Sequence, residues 1–181
     1  MFISQQLRKE NIAEYLLYMW QIEDIIRAYG CNLTAIRRDY ISRFDLDDEQ
    51  KEDLTDWYGN LIRMIREEGC TESGHLQINK IVVQQLNELH EQLISSPKFP
   101  FYSTEYYKVL PFIVELRSRG SKDLTEIETC LNALYGVMLL RLQKKEVSRN
   151  TETAVKEITT FLGMLSDYYK KDKEEGIDWE E

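Results

Sequence analysis

Two histidines, three cysteines and a few polar side chains set among apolar ones are the residues of this chain that could do chemistry. His75 and His90 are the candidates for metal ligation or proton transfer. A helical HExxH zinc site needs two histidines four apart, and a di-iron bundle needs paired ExxH units. Neither is present, since the residue three before His90 is Asn87. Cys31, Cys70 and Cys130 are odd in number and stand at no CxxC spacing, so neither a disulfide framework nor a cysteine zinc site is expected. No metal and no cofactor is expected. His75 reads as a residue of a helix start, and His90 as an edge residue beside the stripe Leu86, Leu89 and Leu93.

Other motifs fail on spacing. There is no GxGxxG, no GK[ST] after a glycine and no GxSxG elbow. Asp45 to Glu49 begins like a calcium loop, but Gln50 stands where the turn needs glycine and Asp56 where a bidentate Glu belongs. Ser95-Ser96-Pro97-Lys98 matches SxxK, yet Pro97 breaks the helix that would align its ends.

Polar side chains on the first long apolar segment are more informative. Glu14, Tyr18 and Gln21 fall on one helical face at spacings of four and three. Glu23 and Asp24 reach Arg27 at i+4 and i+3. These six residues are the candidate ligand-binding set. They form either a polar pocket between helices or a hydrogen-bond network that fixes one packing arrangement, since a buried polar group left unpaired costs about 1–3 kcal/mol. A second set is aromatic: Phe99, Phe101, Tyr102, Tyr106 and Tyr107, with Trp179 near the end of the chain. It forms either an interaction surface or a cover over one end of the core.

The elements that must position these groups are helical. Apolar residues cover most of the circumference between Asn11 and Tyr29, which marks a central helix capped by Asn11 and ended by Gly30. Further segments run from Leu33 to Arg43 and from Asp45 to Gly69, the latter with stripe Leu54, Tyr58, Leu61 and Ile65. The next starts at Ser73-Gly74, and Pro97 to Phe101 is expected to form the longest loop. A helix from Thr104 to Arg119 is expected to bend or restart at Pro111. Asp123 with Glu126, and Asn150 or Thr151, are the expected caps of the last two helices. Gly59, Gly136 and Gly163 inside helices suggest close helix–helix approach. The fold class is all-α: a single-domain bundle of six or seven helices packed around the first long one, over residues 1–172. An acidic flexible tail follows over 173–181.

Composition narrows the function classes. The 181 residues carry a net charge of −9, and residues 45–74 alone hold 10 acidic against 3 basic side chains. No basic face is available for phosphates or for an anionic membrane surface, so neither nucleic acid nor membrane is an expected partner. No apolar run approaches the 18 or so residues of a membrane span, and the start of the chain lacks a signal-peptide pattern. A cytoplasmic location is expected, which makes the Asn32-Leu33-Thr34 sequon a chance match.

The run Arg8-Lys9-Glu10-Asn11-Ile12-Ala13-Glu14-Tyr15-Leu16-Leu17-Tyr18-Met19-Trp20-Gln21-Ile22-Glu23-Asp24 resembles the opening of a bacterial family, domain of unknown function 4924. The resemblance implies a cytoplasmic helical protein from a Bacteroidetes bacterium. It implies no activity, cofactor or catalytic residue. The leading functional expectation is a non-enzymatic helical interaction or scaffold protein, with a protein partner or self-association. The alternative is a small-molecule-binding bundle, with or without enzymatic activity, whose pocket lies on the first long helix.

Overall fold

The computed structural model describes residues 2–120 and 123–179. Glu180 and Glu181, the end of the expected acidic tail, lie outside the described residues. The described residues form eight α-helices and no strand: α1 (Phe2–Glu10), α2 (Ile12–Ala28), α3 (Leu33–Asp39), α4 (Asp48–Glu67), α5 (Gln77–Ser95), α6 (Pro100–Arg119), α7 (Glu126–Leu142) and α8 (Arg149–Glu174). A 3-10 turn at Ile41–Arg43 links α3 to α4.

Helix α2 is the long apolar segment read from the sequence. It packs on α1, α4, α7 and α8. Leu16, Met19 and Ile26 are buried in it, and the same core takes Tyr58 and Ile65 from α4, Leu86 and Leu93 from α5, and Phe161 and Leu165 from α8. Each such side chain contributes about 1.5–3 kcal/mol on leaving water. Helix α8 is a second hub and touches α2, α5, α6 and α7.

Several element boundaries differ from expectation. The helix count is eight, because α1 precedes Asn11. The Asn11 N–H still donates to the Leu7 carbonyl, while its own extended backbone and side-chain acceptance from the Glu14 N–H restart the chain as α2. Helix α6 begins at Pro100, inside the expected loop, and runs through Pro111. A proline in the first turn loses no hydrogen bond, since that N–H would have no helical partner. Thr125 caps α7 with Glu128 in a capping box, in place of Asp123 with Glu126. Ser148 caps α8, two or three residues before the expected Asn150 or Thr151. Close approach explains one helical glycine of three: a Cβ on Gly59 would sit 3.3 Å from Leu33 Cδ2, whereas at Gly136 or Gly163 it would meet nothing within 4 Å.

Candidate functional site

Helix α5 starts without a side-chain cap of its own. Leu76 stands at the N-cap position and has no oxygen to offer the free backbone donors there. Two carboxylates from elsewhere in the chain take that role. Glu23 Oε1, from α2, accepts from the Leu76 N–H at 3.1 Å, and Glu68 Oε2 accepts from the Gln77 N–H at 2.6 Å. The positive end of the α5 dipole favours both anions.

Glu23 is fully buried and each of its oxygens has a partner. Oε1 also accepts from Asn79 Nδ2 at 2.7 Å, and Oε2 lies 2.7 Å from His75 Nδ1 and 3.8 Å from Arg27 Nη2. Arg27 continues the network. It donates to Asp24 Oδ1 at 2.8 Å and, through Nη1, to the carbonyls of Cys70 and Gly74. The loop that carries His75 is thereby tied to α2. Gly74 permits that loop to turn, since its φ of +89° is strained for any residue with a Cβ.

His75 is held flat. Its ring stacks on Trp20 with centroids 4.2 Å apart and planes 16° apart, and Tyr135 meets Trp20 edge-on at 5.7 Å. The Tyr135 hydroxyl donates to Asp24 Oδ2, and burial followed by that bond raises its pKa. Trp20 and His75 form one end of a cleft of about 690 Å³ between α5 and α7. Trp20 is 3% exposed, and its Nε1–H is buried with no acceptor among the described residues. The His75 side chain is 33% exposed and uses one ring nitrogen, leaving Nε2 unbonded.

Of the six residues expected to bind a ligand, Glu23, Asp24 and Arg27 converge here. Glu14 is exposed and lines a groove with α7 and α8. Tyr18 packs against the core near Tyr40 and Tyr58, and Gln21 is half-buried. Sequence reasoning missed Trp20, His75 and Asn79. No sequence signal points to them, because Ser73-Gly74 reads as a helix start with a serine to cap it, whereas α5 begins at Gln77.

The second histidine corrects an expectation. His90 is buried, not an edge residue. Its Nδ1 lies 2.7 Å from the Tyr102 hydroxyl and its Nε2 3.4 Å from Glu126 Oε2. The rings of Tyr102, Tyr106 and Phe161 surround it, and burial pushes its pKa down. Burial and a hydrogen bond to Glu126 push the Tyr106 phenol up to about 12. The aromatic set is thus divided. Tyr102 is core, Phe99 and Tyr106 are half-buried, and Phe101 and Tyr107 are 79% and 62% exposed. Trp179 lies against Phe99, with centroids 5.4 Å apart.

Among the described residues, no three His, Cys, Asp or Glu side chains group closely enough to hold a metal ion. No helix there is long and apolar enough to cross a membrane. No curated protein and no solved structure is significantly similar to the chain. A family model does match residues 1–176, nearly the whole chain, and it assigns no activity. The chain belongs to the family described as Domain of unknown function (DUF4924).

Proposed function

We propose that this protein is a binding protein whose ligand is a small polar molecule seated in the cleft between α5 and α7. The observation that carries the reading is His75, which lines the cleft 33% exposed with its ring fixed by Glu23 and Trp20 and its Nε2 unbonded. A fixed imidazole nitrogen donates to a ligand or accepts from it according to its protonation, and a ligand group there gains a hydrogen bond without the entropy of orienting the ring. The cleft volume falls within the roughly 300–1,000 Å³ of small-molecule sites. Three buried free cysteines suit a reducing bacterial cytoplasm, and the acidic composition disfavours nucleic acid.

A thermal-shift screen of polar metabolites tests this. A ligand at 100 times its Kd adds about 2.7 kcal/mol, which at about 2–4 °C per kcal/mol raises Tm by about 5–10 °C. Trp20→Phe and His75→Gln should abolish the shift. A screen without hits, or a shift unchanged in both variants, contradicts the reading.

Interaction with a protein partner or a second copy is the second reading. It is favoured by Phe101 and Tyr107, which are large, aromatic and mostly exposed on α6. Sedimentation of wild type and Tyr107→Glu over a range of concentrations tests self-association.

A further inference from the structure

Two exposed regions of opposite charge are left unmatched within the chain. The first is a groove of about 380 Å³ between α1 and the first half of α4. Leu46, Leu54 and Trp57 give it an apolar lining, and the exposed Asp53 and Asp56 line it as well. The surrounding chain is acidic: residues 45–56 hold seven acidic side chains and one basic. Of those seven, Glu52 is ion-paired among the described residues, with Arg37, and the others are not.

The second region is the turn between α7 and α8. Residues 141–149 hold four basic side chains and one acidic. Arg141, Lys144 and Lys145 are exposed, and none is ion-paired among the described residues. Beside them Leu142 is 60% exposed. The turn is also strained. Helices α2, α4 and α8 are followed by Gly30, Gly69 and Gly176 at positive φ, whereas α7 is followed by Lys144 at φ +56°. The Lys145 N–H donates back to the Leu140 carbonyl, a closure that usually places glycine where Lys144 stands. Glycine would remove the strain; lysine holds a charge at that point instead.

An acidic groove lined by a tryptophan and an exposed leucine flanked by lysines are complementary halves of one contact. They do not pair within one molecule: α4 packs on α2 and α3, and α7 packs on α2, α5, α6 and α8. Both halves are on every chain, so a second copy supplies what each lacks. We propose that the turn after α7 of one molecule docks in the α4 groove of a second copy, with Leu142 against Trp57 and Lys144 and Lys145 facing Asp53 and Asp56. The apolar pair supplies the centre of the contact and the charges its rim. Pairing acid with acid or base with base would repel, which fixes the register. This interface is separate from the α5–α7 cleft and from the exposed aromatics of α6.

The experiment is sedimentation velocity on the full chain from micromolar to millimolar concentration. At about 0.15 M salt, screening over ~8 Å damps the repulsion between two chains of net charge −9 and leaves contact pairs in force. Wild type should associate. Asp53→Lys/Asp56→Lys and Lys144→Glu/Lys145→Glu, all at exposed positions, should each weaken self-association at least about tenfold, because like charges then face each other. An equimolar mixture of the two variants should associate again, since their reversed charges are complementary. Lys144→Gly should raise Tm where the chain is monomeric, by relief of backbone strain, and still weaken association. Tyr107→Glu should change nothing. The proposal is overturned by a wild type that stays monomeric at millimolar concentration, or by a mixture no more associated than its components. Loss of association in Tyr107→Glu, with both charge reversals without effect, overturns it too and assigns the interface to α6. None of these results bears on the ligand cleft.

Discussion

His75 and His90 are built alike and finish differently. Each takes a carboxylate from another helix, Glu23 for His75 and Glu126 for His90, and each packs on aromatic rings. The order of burial is reversed. At His75 the carboxylate is sealed inside and the imidazole is one-third exposed at a cleft. At His90 the imidazole is sealed inside and Glu126 is 27% exposed. Both nitrogens of His90 have protein partners, and one of His75 does. A histidine with both nitrogens filled holds helices together. One with a free nitrogen, fixed in orientation by a buried anion, is available to something outside.

The largest expected effect separates the two carboxylates. Glu23→Ala leaves the Leu76 N–H, the Asn79 amide and the His75 Nδ1 without their acceptor and should cost about 3–5 kcal/mol, the size of breaking a buried pair. Glu126→Ala removes a longer bond to His90 Nε2 and the hydrogen bond of Tyr106, both at a partly exposed carboxylate, and should cost about 1–2 kcal/mol. Denaturant midpoints measure both, and equal losses would erase the contrast. Next in size is Tyr102→Phe, which strips His90 Nδ1 of its 2.7 Å partner inside the core. A loss of about 1–3 kcal/mol is expected by the same measurement.

The two sites also differ in how legible they were. Helix stripes such as Leu54, Tyr58, Leu61 and Ile65 are visible in the sequence because one helix repeats its contact every turn. The Asp24–Arg27 pair is visible for the same reason, being three residues apart on α2. Glu23 and His75 are 52 residues apart, and His75 sits in irregular chain between α4 and α5, where no periodicity points to a partner. His90 misleads because its polarity suggests an edge, while Tyr102 and Glu126, which satisfy it, come from two other helices. Helix α1 is short, and its separation from α2 rests on the single residue Asn11.

Acid should act on the sealed histidine through its depressed pKa. The unfolded chain protonates His90 near its ordinary value of 6.5, while the folded chain resists until a lower pH. Between these values the unfolded state holds more protons, so stability falls as pH falls. The contribution is complete above about pH 6.5 and declines below it, by at most about 1.4 kcal/mol per pH unit. Glu126 and Glu91 oppose the shift and burial outweighs them. Urea midpoints at about pH 7.5 and about pH 5.5 should differ less in His90→Gln than in wild type, where the extra acid loss belongs to this residue. An identical acid loss in both would show that the ring is not sealed.

The smallest effect concerns the cover of the sealed site. From His90 a chain of ring contacts runs through Tyr102, Tyr168 and Phe99 to Trp179. Lys98 Nζ lies 3.7 Å from Asp178 Oδ2 beside it, and Ile177 packs on the core. Trp179 remains 37% exposed, and its neighbours are mostly charged. An aromatic pair is worth about 0.5–1.5 kcal/mol, and a half-open one belongs at the low end. Trp179→Ala should therefore cost about 0.5 kcal/mol, less than any change above, because ordering a terminus opposes the contact. Emission from Trp179, isolated by replacing Trp20 and Trp57 with Phe, distinguishes a bound from a free tail. A red, readily quenched signal means that the tail moves independently and that Phe99 and Tyr168 close the His90 site alone. A blue signal that persists on dilution means that the tail seals its own bundle, and one lost on dilution means that it docks on a second copy.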